Sequence, residues 1–354
     1  MVVDFEPRAA PGTLVFYSMA IQVAGVMLLM TCWQRQLAFE KFFHYYRHAR
    51  DIESEDLWIE RAASIKRNSR RFWIVQSYVL GSAVMFAGMT FMGRTKDLVH
   101  KRFSAVFYYP QLVYARPMMM IFYCTILNVA LHTYICLTNA IYWEARKFNR
   151  KLISLRAFDR MDMRVKLETL IRHHSTIHRA VRELDSIYQI YAFFVIAITI
   201  PATLFVMLMI FSRQNALEII LSLPALAFCL YEYYGIMYPA RLHEELNRSK
   251  ATLCMNHHVW VPYEKGVNKL AQTLVMHVEQ ANLGISLWGF AIVTKPLILT
   301  TVSVLMTCLA FLMELRPRPG QSIMGRNNFT MSVANLHPET LALAATPGKR
   351  RDTS

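Results

Sequence analysis

Charge is scarce in this chain. Only 18% of its 354 residues are Asp, Glu, Lys or Arg, while 55% are hydrophobic, with 21 Met and 21 Phe among them. A soluble domain carries about a quarter charged residues, so a water-facing globular fold is excluded at the outset. Acids are scarcer than bases, 24 against 39, which leaves a formal charge of +15. Such an excess can mark nucleic-acid binding, but here the charges stand in blocks between long apolar runs. That arrangement reads as membrane topology and not as a phosphate-binding face, so no nucleic acid is expected.

Glycine numbers 12, and none of it forms a phosphate loop or a Gly-x-Ser-x-Gly elbow. No paired acids face each other across the apolar runs. Nothing asks for an enzyme, a catalytic residue or a cofactor. Of the six cysteines, Cys124, Cys136, Cys229 and Cys308 fall inside apolar runs, Cys32 ends one, and Cys254 lies in a charged loop. No pair suggests an extracellular disulfide. The first eight residues hold two acids and an Arg, so no cleavable signal peptide is expected.

What is present is length. A helix crosses roughly 30 Å of hydrocarbon with about 20 residues. Six runs qualify: Thr13–Cys32, Phe72–Gly93, Pro117–Tyr142, Ile187–Ser212, Ile219–Pro239 and Pro296–Met313. The alternate segments 33–71, 143–186 and 240–295 hold 26 of the 39 Lys and Arg residues, which places them in the cytoplasm and both ends of the chain outside. Asn328 begins an Asn-Phe-Thr glycosylation acceptor, in keeping with an outer C-terminus. A G-protein-coupled receptor has the opposite polarity at its C-terminus. The expected fold is therefore all-α, a polytopic membrane bundle. A short segment covers 1–12, the bundle covers 13–313, and a flexible Pro-, Gly- and Thr-rich tail covers 314–354.

The cytosolic segments have helical pattern. Leu167, Leu170, His174, Ile177, Val181 and Leu184 step by alternating threes and fours, a heptad seam that asks for a partner, for which neighbouring copies are one source. The third run continues as "YWEARKFNRKLISL", and Pro262 breaks the helix begun at "ARLHEEL". Histidines gather here: His173, His174 and His178 in one segment, and His243, His257, His258 and His277 in another. Membrane di-iron oxygenases collect histidines on this side, but only His174 and His178 have ligand-like spacing. No metal is assigned, and His174 fits a packing role on the seam. Glu232, near the cytosolic end of the fifth run, either has a polar partner or reaches the interface among Tyr231, Tyr233 and Tyr234.

The last run is threaded with hydroxyls. Thr300, Ser303 and Thr307 share one helical face, and the run stops on Glu314. Hydroxyls in a span can bond back to the carbonyl four residues earlier. Alternatively the stripe faces water, with Glu314 at an outer mouth where a ring of carboxylates, one per copy, would concentrate cations.

These last residues resemble the insect gustatory and odorant receptor superfamily, including its nematode gustatory-receptor-like members. The family's final span carries Thr-Tyr, five apolar residues, then Gln-Phe. Here the same frame reads Thr307-Cys308, Leu309-Ala310-Phe311-Leu312-Met313, Glu314-Leu315. "NLGISLWGFAIVTKPLIL" before it and "LETLIRHHSTIHRAVRELDSIYQIY" are similar to the family's approach to that span and to its cytoplasmic helix. The family has seven spans where six are read here, so the six are taken as its second to seventh.

The resemblance implies a homotetramer, or a heteromer with related receptors, forming a ligand-gated non-selective cation channel in the plasma membrane of sensory or other neurons. It implies a pore lined by Thr300, Ser303, Thr307, Cys308 and Glu314, gated near Leu305, Cys308 and Leu309. It also implies a pocket for a small organic ligand bordered by Phe16, Phe86, Met119, Tyr123 and Phe228; light or an oxidant is an alternative stimulus. A receptor that signals through cytosolic partners without conducting, and a membrane enzyme built on the histidines, remain as other readings.

Overall fold

The computed structural model describes residues 10–50, 58–91, 116–155, 160–212, 216–280 and 283–314. The order is α1 (Ala10–Arg35), α2 (Ala38–Arg50), α3 (Trp58–Phe91), α4 (Arg116–Ile153), α5 (Arg160–Ser212), α6 (Ala216–Ile236), α7 (Pro239–Met255), α8 (His257–Trp260) and α9 (Lys265–Gln280). A two-stranded hairpin follows, β1 (Ser286–Leu287) and β2 (Ala291–Ile292), and then α10 (Lys295–Glu314). The chain divides into two units, Met1–Met306 and Thr307–Ser354. Residues 307–314 of the second are described, and all are helical.

The fold is an all-α polytopic membrane bundle, as the hydropathy runs require. Helices α4, α5 and α10 are each long and apolar enough to cross a membrane. The other three runs form α1, α3 and α6, parts of which lie outside the described side chains. Backbone polar groups have no water to bond in hydrocarbon, and a helix satisfies them within itself. Pro201 and Pro224 sit inside α5 and α6 without ending them.

Side-chain contacts fix the relative directions of α1, α3, α4, α5 and α6. Asn128 with Tyr231 on α6, and Asn139 with Tyr238 in the turn just after α6, set α4 parallel to α6. Ser64 with Asn139, and Gln76 with Thr125, set α3 antiparallel to α4. Val15 packs near Val206 while the Trp33 indole donates to the Ile187 carbonyl at 3.0 Å, so α1 is antiparallel to α5. The Lys- and Arg-rich segments therefore gather at one end of the molecule, which is what their assignment to one side of a membrane demands.

At that end helices outrun any bilayer. Helix α5 has 53 residues, roughly 80 Å at about 1.5 Å per residue, so its charged first half lies outside the hydrocarbon that its apolar second half crosses. The heptad seam on that half is fully used inside one chain. Leu167, Leu170, His174, Ile177, Val181 and Leu184 are all at most 5% exposed, covered by packing of α5 against α2, α4 and α9. Neighbouring copies are not needed to cover it, which corrects the expectation drawn from the pattern. A heptad defines a face but not its partner.

Candidate functional site

A carboxylate is buried within the bundle. Glu232 on α6 is 4% exposed. One carboxylate oxygen accepts from Gln22 Nε2 on α1 at 3.0 Å, and the other accepts from Thr199 Oγ1 on α5 at 3.2 Å. Gln22 and Thr199 each stand midway along their apolar runs, so Glu232 meets the middle of its neighbours' spans and does not reach for an interface. Of the two sequence readings, the partnered one holds. Around it are Cys124, Cys229, Tyr191 and Tyr231, and Phe228 lies one helical turn away on α6. Burying a carboxylate without a cation is costly, and the two neutral donors are what offset that cost. Sequence reasoning missed Gln22 and Thr199. A lone Gln amid "YSMAIQVAGVMLLM" was the available signal.

A second polar chain runs along α3, α4 and α6. Gln76 Nε2 donates to Thr125 Oγ1 at 2.8 Å, Asn128 Nδ2 donates to Gln76 Oε1 at 3.0 Å, and the Tyr231 hydroxyl donates to Asn128 Oδ1 at 3.2 Å. Of the expected ligand-pocket residues, Phe228 is buried, while Met119 and Tyr123 are half-buried. Tyr123 packs against the same core that holds Phe228 and Cys124. The side chains of Phe16 and Phe86 lie outside the described residues, as does Asn328.

The last helix is different in kind. No residue of α10 is buried. Leu299 is 72% exposed and Met306 55%, and Thr300, Ser303, Thr307 and Glu314 are exposed as well, with Cys308, Leu305 and Leu309 partly so. The Thr300 hydroxyl donates to the Pro296 carbonyl at 3.0 Å and that of Thr301 to the Leu297 carbonyl at 2.6 Å, so backbone bonding four residues back holds for these two. Each still presents an oxygen lone pair to its surroundings.

The start of α10 is held firmly. Trp288 and Gly289 adopt positive φ values of 49° and 78°, which turns the chain between β1 and β2 in the manner of a tight hairpin. Asp185 on α5 accepts from the Ser286 amide at 2.6 Å and its hydroxyl at 2.9 Å, and the Trp288 amide donates to the Gln189 carbonyl at 3.1 Å. The Tyr233 hydroxyl donates to the Ile298 carbonyl at 3.1 Å, and Lys295 pairs with Glu244 at 2.6 Å. These contacts tie the hairpin and the foot of the last span to α5, α6 and α7. The hairpin was read from sequence as the apolar lead into that span. Two-residue strands leave too short a pattern to recognise.

Among the described residues, no group of three or more His, Cys, Asp or Glu is placed to hold a metal ion. His174 is a seam residue at 3% exposure, with its ring 6.4 Å from that of His277 and 5.5 Å from Phe148. Burial, with Lys151 and Lys147 adding, pushes His173 down to about 4, and burial, with His178 and His277 adding, does the same to His174. Both are neutral in the fold and take up protons on unfolding, so the unfolded chain binds more protons below its ordinary value of about 6.5. Stability is therefore full above that value and falls as pH drops towards about 4. The thermal midpoint of the detergent-solubilised protein is expected to fall between about pH 7 and about pH 5, and His174→Leu should remove about half of that slope. A variant with an unchanged slope would rule out this origin.

No family model matches the chain, and no curated protein does. The architecture does have a match among solved structures. An insect olfactory receptor from Machilis hrabei shares it with a TM-score of 0.55 at 12% identity, covering 88% of this chain and 83% of that one. At that identity the likeness is one of fold, and the fold is a multi-pass membrane helix bundle.

Proposed function

We propose that the chain is a gustatory-receptor-like member of the insect gustatory and odorant receptor superfamily, acting as a ligand-gated, non-selective cation channel in the plasma membrane of sensory or other neurons. Copies of the chain, or copies with related receptors, assemble around a conduit lined by the Thr300, Ser303, Thr307, Cys308 and Glu314 face of the last span. The observation that carries this reading is α10 itself. It is a span with a hydroxyl stripe and no buried face. Lipid would satisfy its Leu, Val and Met surface, whereas a terminal carboxylate asks for water and a hydroxyl that donates to backbone still offers water an acceptor lone pair. A water path shared between copies supplies both environments.

In this reading a small organic ligand enters the outer half of the bundle among Phe16, Phe86, Met119, Tyr123 and Phe228, above the Glu232–Gln22–Thr199 cluster. An apolar, Met- and aromatic-rich lining over a polar floor suits a compact amphipathic molecule. Binding shifts α5 and α6, and the Asp185–Ser286 and Tyr233–Ile298 bonds carry that shift to α10, widening an apolar gate at Leu305, Cys308 and Leu309. Residues 314–354 form an extracellular tail, glycosylated at Asn328.

Expression in oocytes with current recording, across a panel of small organic compounds and under illumination, tests the proposal. Stimulus-dependent currents carried by sodium and potassium alike are expected. Stimulus-dependent G-protein signalling without current would replace this reading with a receptor that works through cytosolic partners.

A further inference from the structure

We propose that the basic trough on the inner part of α3, formed by Lys66, Arg67 and Arg70 beside Trp73, binds the phosphorylated headgroup of an anionic lipid in the cytosolic leaflet. The run "KRNSRRFW" (66–73) divides its side chains by purpose. Asn68 is buried, and Ser64 one turn earlier exchanges hydrogen bonds with Asn139 of α4. Arg71 is spent on the Tyr234 hydroxyl at 2.9 Å, and Arg61 on Glu144 at 3.0 Å. Lys66, Arg67 and Arg70 are exposed on the other face, and among the described residues no carboxylate pairs with any of them. Arg61, Lys66, Arg67 and Arg70 line an open trough of about 870 Å³ that ends at Trp73.

Charge and position together select the occupant. Three uncompensated cations within five residues on one helix face need an anion of high charge density, and a phosphomonoester offers several acceptor oxygens to Arg and Lys at once. The trough also sits where a headgroup would be. Arg71 is the last charge before the uncharged run that begins at Phe72, and Trp73 and Ile74, 63% and 59% exposed, mark the level at which indole rings meet the headgroup region. Ile65, 55% exposed, adds apolar contact on the same side. Clusters of Lys and Arg immediately cytoplasmic of a span attract anionic lipid by about 1 kcal/mol per cation. The inference rests on α3 entering the bilayer from its basic end, and it stands whether or not the chain conducts.

The test uses the full-length protein in nanodiscs of phosphatidylcholine doped with a fluorescent phosphatylinositol bisphosphate, with energy transfer from the protein as the readout of binding. Replacing Lys66, Arg67 and Arg70 together by Gln should weaken binding roughly a hundredfold, three cations at about fivefold each. Arg67→Lys with Arg70→Lys should keep most of it, and the midpoint of thermal unfolding in neutral lipid should stay unchanged. The control removes the exposed Arg248, Lys265 and Lys269 in the same way and should leave binding intact. Equal loss in the control, or undiminished binding in the first variant, would overturn the site. Full competition by the free inositol trisphosphate headgroup at equal concentration would also overturn it, in favour of a soluble polyanion.

Discussion

Gln22→Leu is expected to destabilise the bundle by about 1–3 kcal/mol, because it leaves one oxygen of a buried carboxylate without a donor. The effect will show as a lower thermal midpoint in detergent and a several-fold drop in protein reaching the cell surface. Glu232→Leu alone leaves the Gln22 amide unsatisfied and is expected to cost a similar amount. The double variant removes both polar groups and should recover most of the loss, since an apolar pair of similar shape carries no desolvation debt. Glu232→Gln keeps an acceptor for Gln22 and should be the mildest of the set. If the two single changes simply add, Gln22 and Glu232 do not act as a pair, and the polar floor beneath the proposed ligand site is lost with them.

Glu314→Gln carries the second large effect. In the proposed channel a carboxylate from each copy at the outer mouth would raise the local concentration of cations, so its removal should lower the permeability of cations over anions about two- to fivefold at low salt. High salt should erase most of that difference, since exposed charges are screened beyond roughly 8–10 Å. Glu314→Lys should go further and favour anions. Reversal potentials in asymmetric salt measure both. Selectivity that ignores the residue would remove Glu314 from the conduction path.

Much of the architecture could be read from the chain because a membrane imposes its own ruler. Among the described residues four of the six apolar runs lie wholly in a helix, Phe72–Gly93 is helical as far as Phe91, and Ile219–Pro239 is helical to Ile236 and then turns into the next helix. The extensions beyond Tyr142 and before Ile187 are helical as their patterns require. The seam on α5 was visible at every position, yet its partners, α2, α4 and α9, were not, since periodicity is blind to what covers a face. Glu232 stood out as an acid in an apolar run. Its bond to Gln22 joins residues 210 apart in sequence, and no local pattern encodes a pair of that separation. The Asp185–Ser286 link escaped for the same reason, and the hairpin because two-residue strands have no period to detect. Conversely, the hydroxyls of the last span could be placed on a helix from the chain alone, and that helix is present. Which side of α10 meets water depends on neighbours that one chain does not contain.

Cysteine substitution along α10, in a Cys308→Ser background, decides that question most directly. Currents would be recorded while a charged, membrane-impermeant thiol reagent is applied from outside. Block is expected at positions 300, 303 and 307, and not at 299, 302 and 306, giving the three-and-four rhythm of one wetted helical face. Block at the apolar positions instead, or at none of the six while current persists, would contradict a conduit bordered by this span.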